Sequence, residues 1–335
     1  MTTCKKAIPN PARRRVLGTL VGVAPALLSG RSHASDAWPS RPIRIIVPFA
    51  PGGGSDVSAR VLAELFASDL KQSVVVENKP GAGSVVGVSA AAQSRDGHTL
   101  LMASNSTVIN PVLRPPVPYD VERDFEAVGM VSAQPLVLVV PESSSIRSVD
   151  DLVGRARTRP GQLSAGNSGS GTLAHLTTVL FEMKVGVDLT PVPYKGESAL
   201  MPDLMAGRVD LGFLNLPSVI PHIRAGRLRA LAVSSPQPIV DLPGVPTFRA
   251  LNLPELEVQG WAALLAPKGT IPVAGLERLQ ALLRQALQSD VVRTRFAALS
   301  VQPVLATRAE TAAALRDEAA RWSTVIKTRG IKAAD

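Results

Sequence analysis

Short apolar runs rich in β-branched residues alternate with helical segments along this chain of 335 residues, and that alternation limits the folds open to it. The run IRIIVPF (43–49) precedes DVSARVLAELFASDL (56–70), whose apolar residues recur at helical spacing. SVVVEN (73–78) and HTLLMAS (98–104) repeat the strand pattern, with a small-residue helix from about Ser84 to Gln93 between them. A β-α-β-α-β order predicts a mostly parallel sheet with helices on both faces.

The alternation resumes after PLVLVV (135–140) and predicts a second α/β unit. Four more strand patterns with intervening helices follow, and VQGWAALLAP (258–267) is the last long strand pattern. Two amphipathic helices, at about 272–288 and 307–327, complete the chain. We therefore predict an α/β fold in which lobe 1 begins with 38–138, lobe 2 comprises 139–260, and 261–335 returns to lobe 1 with its C-terminal helices.

The first 37 residues have the three-part pattern of a secretory signal peptide. A basic start precedes the uncharged run from Val16 to Gly30, whose 15 residues are fewer than the ~20 that span a membrane, and small residues follow. RRRVL (13–17) fits a twin-arginine signal as well as an ordinary Sec signal. We expect cleavage near Ala37, rather than at the alternative Ala34, and a periplasmic mature protein.

Charge and cysteine content exclude several classes of function. Six basic residues and one aspartate in the first 37 residues supply +5 of the formal net charge of +9, so the remainder is mildly basic. With two Tyr and seven Phe, the chain offers few stacking surfaces, and we expect no nucleic-acid partner. The single cysteine, Cys4, leaves with the signal peptide. We expect neither a metal site nor a cofactor, because no HExxH or P-loop motif is present.

Two glycine-rich loops follow strands where helices begin. In VPFAPGGGSD (47–56) the glycines permit close backbone approach, and Ser55 or Asp56 can cap the helix. SAGNSGSGTLAHL (164–176) repeats the arrangement and adds hydroxyl groups. Helix N-termini attract anions, and both loops lie at carboxyl ends of strands, so we expect them to face one crevice. A tight capped turn for the first loop and a flexible loop for the second are the alternatives.

Two further segments are candidates of lower specificity. ASNSTVINP (103–111) follows the third strand, where its polar residues either line the same crevice or form an Asn/Ser-rich turn. ENKPGAGSVVG (77–87) contains Gly81 and Gly83, but its third glycine falls one residue late for a dinucleotide fingerprint. Nucleotide binding is therefore disfavoured.

An exported serine hydrolase is the catalytic alternative. The five residues from Gly166 to Ser170 (GNSGS) lack the last glycine of the GxSxG nucleophile elbow. His175 lies one turn into its helix, where we expect it to hold the preceding loop rather than act as a base. The sequence thus favours a binding protein over an enzyme.

Taken in order, the motifs of the chain resemble those of the Bordetella uptake gene (Bug) family, the periplasmic receptors of tripartite tricarboxylate transporters. The resemblance spans nearly all of 38–330 and includes WPSRPIRIIVPFAPGGGSDVSARVLAE, VVVENKPGAGSVVG, DGHTLLMASNSTVINP and GWAALLAPKGTIP. It implies a type II periplasmic-binding-protein fold, in which two α/β lobes close on a ligand in the cleft between them, about a hinge of crossing strands. It also implies a small organic acid as ligand, membrane permease subunits as partners and a monomeric receptor.

The resemblance further implies that the two glycine loops hold a ligand carboxylate, partly through waters. The implied binding residues are Phe49, Gly53, Gly54, Ser55 and Asp56 in the first loop, Ser168, Gly169, Ser170, Gly171 and Thr172 in the second, and Ser104, Asn105 and Ser106 between them.

One residue departs from the family pattern. Many relatives carry an aspartate before the NLPS segment, where this chain has Leu214. We therefore treat Leu214 as a specificity candidate and expect a plain carboxylate to be preferred over an amino acid, because an acidic anchor for an amino group is missing. A ligand sensor that docks on a signalling partner would have the same pocket, so the sequence leaves transport and sensing open.

Overall fold

The computed structural model describes residues 38–49, 51, 54–194, 196–298 and 301–332. The predicted signal peptide and Gly53 lie outside the described residues. The strands are β1 (Ile43–Val47), β2 (Val74–Asn78), β3 (Thr99–Ser104), β4 (Phe125–Pro141), β5 (Ser164–Asn167), β6 (Thr190–Pro193), β7 (Leu211–Asn215), β8 (Leu228–Val233), β9 (Gln259–Pro267) and β10 (Gln302–Pro303).

Helices occupy most of the connections between these strands. They are α1 (Gly54–Leu70), α2 (Val85–Ala92), α3 (Asn105–Leu113), α4 (Val121–Asp124), α5 (Val149–Thr158), α6 (Leu173–Val185), α7 (Glu197–Met205), α8 (Leu216–Arg224), α9 (Val273–Gln288), α10 (Asp290–Ala298) and α11 (Arg308–Arg329). Within the described ranges, none of them is both long and apolar enough to cross a membrane.

The sheet follows the order β2-β1-β3-β9-β4-β7-β5-β6, with β8 and β10 also paired to β4. β1 runs parallel to β2 and β3, and β5 runs parallel to β6 and β7. The α/β prediction is confirmed, but the centre of the sheet is antiparallel because β9 runs opposite to both β3 and β4.

β4 is the element that links the two parallel groups of strands. It pairs with β9 over Phe125–Pro135 and with β7 over Leu136–Val139. Its 17 residues far exceed the segment 135–140 expected from the sequence. The earlier half contains Gly129, Ser132 and Gln134 and two register shifts against β9, which interrupt any simple apolar pattern.

Apolar clusters cover both faces of the sheet. Phe66 of α1 and Phe296 of α10 are fully buried in one cluster, on the same side as α9. Trp322 of α11 is fully buried in the largest cluster, and α11 contacts both α3 and α6. The division into two lobes, with the C-terminal helices returning to lobe 1, stays a prediction.

Ser234 connects three segments near the middle of β4. Its side chain is fully buried, and its Oγ accepts the backbone N–H of Leu136 at 2.8 Å. The same hydroxyl donates to the carbonyl oxygen of Val258, just before β9. One side chain therefore fixes the end of β8 against both long antiparallel strands.

We expect Ser234→Ala to lower the free energy of unfolding by about 1–3 kcal/mol, because it removes the partner of two backbone groups in a buried position. Urea unfolding measures the change. Ser145→Ala, on an exposed loop, is the control and should stay within about 0.5 kcal/mol of the wild type. Equal effects of the two substitutions would contradict this role of Ser234.

Candidate functional site

A cleft of about 430 Å³ opens beside the carboxyl ends of β1, β3, β5 and β7. The floor includes residues of β4 and β9, and the walls come from the starts of α1, α3 and α6. The predicted binding residues that line it are Phe49, Gly54, Ser55, Asp56, Ser104, Asn105, Ser106, Ser168, Gly171 and Thr172. The chain therefore brings the three predicted segments together in one cavity.

Asp56 anchors the first loop. Its carboxylate is 3% exposed and accepts hydrogen bonds from Arg60 at 3.0 Å and from Asn78 Nδ2 at 2.9 Å. Asn78 also donates to the carbonyl oxygen of Phe49 at 3.1 Å, so β2 fixes both sides of the loop. Both capping candidates, Ser55 and Asp56, lie in the first turn of α1, which begins at Gly54, and their part in capping the helix stays a prediction.

The second loop is held by the first residues of α6. Thr172 is the N-cap: its hydroxyl donates to the carbonyl oxygen of Gly169 at 2.8 Å and accepts the N–H of His175. His175 Nδ1 in turn accepts the N–H of Gly171 at 3.0 Å. Burial lowers the pKa of His175, which favours the neutral ring that this bond requires. The predicted structural role of His175 is confirmed.

Gly171 brings the second loop against α3. Its φ is +78°, and a Cβ atom there would lie 2.1 Å from Leu113 Cδ2. An L side chain would be both strained and in collision at this position. Glycine is therefore required for the loop to reach the residues that follow β3.

Asn105 lines the cleft, but its side-chain amide forms hydrogen bonds with residues of β9 and α11. Its Nδ2 donates to the carbonyl oxygen of Gln259 at 3.1 Å and to Glu318 Oε2 at 3.2 Å. Its Oδ1 accepts the N–H of Trp261 at 3.0 Å. Asn105 thus ties the start of α3 to β9 and α11. The Asn/Ser-rich turn that was the alternative for this segment is instead the first turn of a helix.

A second amide pair lines the cleft and was not expected from the sequence. Gln134 Nε2 donates to Asn215 Oδ1 at 3.2 Å. The N–H and Nδ2 of Asn215 donate to Glu197 Oε1 at 3.0 and 2.9 Å, and Ser218 donates to the other oxygen. Asn215 was recognisable as a polar residue between a strand and Pro217. Gln134 and Glu197 carried no local signal.

Leu214 does not line the cleft, and its predicted role in specificity is corrected. Successive side chains of a strand point to opposite faces, so Leu214 faces away from the side that Asn215 occupies. Leu214 is fully buried in an apolar cluster and is paired with Val137 across the sheet. Its side chain therefore packs in the core instead of facing the cleft. Gly169 and Ser170 also lie outside the cavity lining, although their loop borders it.

The geometry gives no support to metal chemistry in the described part of the chain. No group of three His, Cys, Asp or Glu residues there could hold a metal ion.

The hydroxyl and imidazole groups of the second loop are bonded within the loop. Ser168 Oγ donates to Thr172 Oγ1 at 3.3 Å, and the Nδ1 of His175 is already bonded to the loop backbone. The polar part of the cleft lining consists of backbone groups, hydroxyls, amides and the carboxylate of Asp56, beside apolar residues such as Leu136 and Trp261.

Comparisons with known proteins agree with this construction. A family model described as tripartite tricarboxylate transporter family receptor matches residues 58–331. Protein BugT of Bordetella pertussis is 41% identical over 302 residues, which cover 89% of this chain and 92% of BugT.

Solved structures show the same fold. A Rhodopseudomonas palustris protein with adipate has a TM-score of 0.75 and 33% identity, covering 88% of this chain and 99% of its own. MatC from Rhodopseudomonas palustris with bound malate has a TM-score of 0.72 and 28% identity, covering 86% of this chain and all of MatC.

The fold and the cleft together are those of a periplasmic solute-binding protein. Such proteins are receptors rather than enzymes, which removes the exported hydrolase from consideration. The chain belongs to the tripartite tricarboxylate transporter receptor family, as its motif order predicted.

Glu197, which holds the cleft residue Asn215, makes a pH-dependent contribution to the stability of the fold. Burial raises the pKa of its carboxyl above the ordinary value, although Ser218 and Asn215 donate to it. The folded protein therefore holds this proton more tightly than the unfolded chain does. Ionisation costs stability as the pH rises from the unfolded pKa, about 4.3, through the folded pKa.

We expect the free energy of unfolding of the wild type, measured relative to Glu197→Gln, to fall as the pH rises through this window. The glutamine cannot ionise, so the difference between the two proteins isolates the carboxyl group. Urea unfolding at a series of pH values measures it. A difference that stays constant or grows with pH would contradict the raised pKa.

Proposed function

We propose that this receptor binds a small organic acid in the cleft and delivers it to the membrane permease subunits of a tripartite tricarboxylate transporter. The observation that carries the proposal is that four helices begin at the cleft. α1 starts at Gly54, α3 at Asn105, α6 follows Thr172 and α8 follows Asn215, and all four of these residues line the cavity. Free N–H groups and the positive ends of the helix dipoles favour an anion at such a point.

The charges around the cleft support a site in which an anion is bound by neutral donors, without a lysine or arginine side chain. Asp56 is the one ionisable side chain among the described lining residues, and Arg60 pairs with it at 3.0 Å. Backbone N–H groups and the hydroxyls of Ser55 and Ser104 are then among the donors available to a carboxylate. Neutral donors allow tight orientation of the ligand and still permit its release.

The size of the cleft and the ligands of relatives support a small acid. About 430 Å³ lies within the usual range of small-molecule pockets. The two related structures from Rhodopseudomonas palustris hold adipate and malate. We extend this carboxylate class to the present chain, with backbone and hydroxyl groups of the two glycine loops as its binding residues.

Closure of two lobes completes the proposed mechanism. Lobe 1 comprises 38–138 and 261–335, lobe 2 comprises 139–260, and β4 and β9 carry the chain between them. The contact of Gly171 with Leu113 is one place where the lobes meet. The ligand drives closure because it binds the closed arrangement more tightly than the open one.

Export and assembly belong to the same proposal. Residues 1–37 act as a signal peptide cleaved near Ala37, and the mature receptor works in the periplasm as a monomer that docks on the permease. The family match supports the location and the kind of partner.

Thermal unfolding with a panel of acids tests the binding proposal. Malate, adipate and citrate are compared with malamide and adipamide, which keep the carbon skeletons of the first two but lack carboxylates. We expect at least one acid to raise Tm, since a ligand at 100 times its Kd stabilises the folded state by about 2.7 kcal/mol. The amides should leave Tm unchanged. No shift with any acid, or equal shifts with acid and amide, would refute carboxylate recognition by the cleft.

A further inference from the structure

The turn that precedes α2 has an unusual backbone. Four successive residues have positive φ: Gly81 at +137°, Ala82 at +47°, Gly83 at +62° and Ser84 at +88°. Two of the four carry side chains, for which this region costs of order 1–3 kcal/mol per residue. A local cost of this kind persists only when surrounding contacts hold the residue in place.

The turn places the hydroxyl of Ser84 directly behind the cleft. Ser84 is 2% exposed, and its Oγ lies 2.8 Å from Ser106 Oγ. Ser106 Oγ lies 3.0 Å from Ser104 Oγ, and both of these residues line the cleft. Three hydroxyls thus form a chain that starts in the protein interior and ends at the ligand cavity.

Asn110 determines the direction of this chain. Its Nδ2 lies 2.8 Å from the carbonyl oxygen of Gly83, which can only accept, so the nitrogen of the amide must face the turn. The same Nδ2 donates its second hydrogen to Ser84 Oγ at 3.2 Å. With both amide hydrogens committed, Ser84 accepts from Asn110, and its own hydrogen is left to donate to Ser106.

A count of hydrogens shows what the cleft receives. Three hydroxyls supply three hydrogens, and the two links between them use two. Ser104 Oγ also accepts a backbone N–H in the capping box of α3, which consumes no hydroxyl hydrogen. One hydrogen therefore remains, on Ser104 or Ser106, and both positions face the cleft. If the chain ran in the opposite direction, the cleft would receive a lone pair instead.

We infer that Ser84 and Asn110 are positioning residues that make the Ser104–Ser106 pair a hydrogen-bond donor to the bound ligand. The pair then selects an acceptor, such as a carboxylate oxygen, over a donor such as an ammonium or amide N–H. Each bond in the chain polarises the next, which strengthens the final donor. This inference rests on the proposed function and gives the ENKPGAGS segment a role in it.

Ser84→Gly separates this role from a structural one. Glycine adopts a φ of +88° without strain, so the substitution removes the hydroxyl and relieves the backbone together. We expect relief of the strained φ to offset the lost bond from Asn110, so that Tm of the ligand-free protein stays near that of the wild type. The Kd for the panel acid that shifts Tm most should rise about two-fold, because the Ser104–Ser106 pair keeps one hydrogen for the ligand but loses the donor that orients and polarises it. Isothermal titration with malate, adipate and citrate measures the Kd values.

Ser89→Ala is the matched control. Ser89 is also buried, lies on α2 and donates to the carbonyl oxygen of Val85 at 2.7 Å, without a link to the cleft. Its substitution should leave the Kd values unchanged. Wild-type affinity in Ser84→Gly, or a loss of Tm in parallel with the loss of affinity, would overturn the inference.

Neutron diffraction decides the direction of the chain even if none of the three acids binds the wild type, an outcome that would count against the proposed function alone. Deuterated crystals of the protein, expressed from its full chain, should show the deuterium of Ser84 Oγ directed at Ser106 Oγ. A deuterium on Ser106 Oγ directed at Ser84 would overturn the inference.

Discussion

The N–H groups in the first turn of an α-helix have no carbonyl partner within their own helix, and the cleft depends on this constraint. Because α1, α3, α6 and α8 all begin beside it, their free donors and dipoles converge on one volume. Asp56, the acidic residue on the wall, forms an ion pair with Arg60 and accepts a hydrogen bond from the amide of Asn78. The cavity is therefore suited to an anion although no lysine or arginine is among its described lining residues.

The antiparallel centre of the sheet fixes the positions of these helix starts relative to one another. β4 pairs with β9 along one half and with β7 and β8 along the other, so it belongs to both parallel groups of strands. Side-chain bonds then attach the helices to this centre. Asn105 attaches α3 to β9, while Glu197 and Asn215 attach α7 to the end of β7. Few of these contacts join residues close in sequence.

That distance along the chain explains which features sequence reasoning could find. The two glycine loops were found because each lies within a few residues of a strand pattern and a helix pattern. The hydroxyl chain from Ser84 to Ser104 and the pair Gln134–Asn215 were missed, since their partners come from different elements. Leu214 was misplaced by a single position, because the face of a strand that meets a cleft depends on register, which the motif alone does not define. β10 and α10 were missed because a two-residue strand and a short helix leave little periodicity.

Backbone amide chemical shifts, followed by NMR while a panel acid that raises Tm is titrated into the protein, test the central claim most directly. If the starts of four helices hold the carboxylate, the largest changes will fall on residues 54–56, 104–106, 171–173 and 215–216. Changes concentrated instead around Val108 and Leu315, which line a separate cavity of about 410 Å³ against α11, would contradict the account.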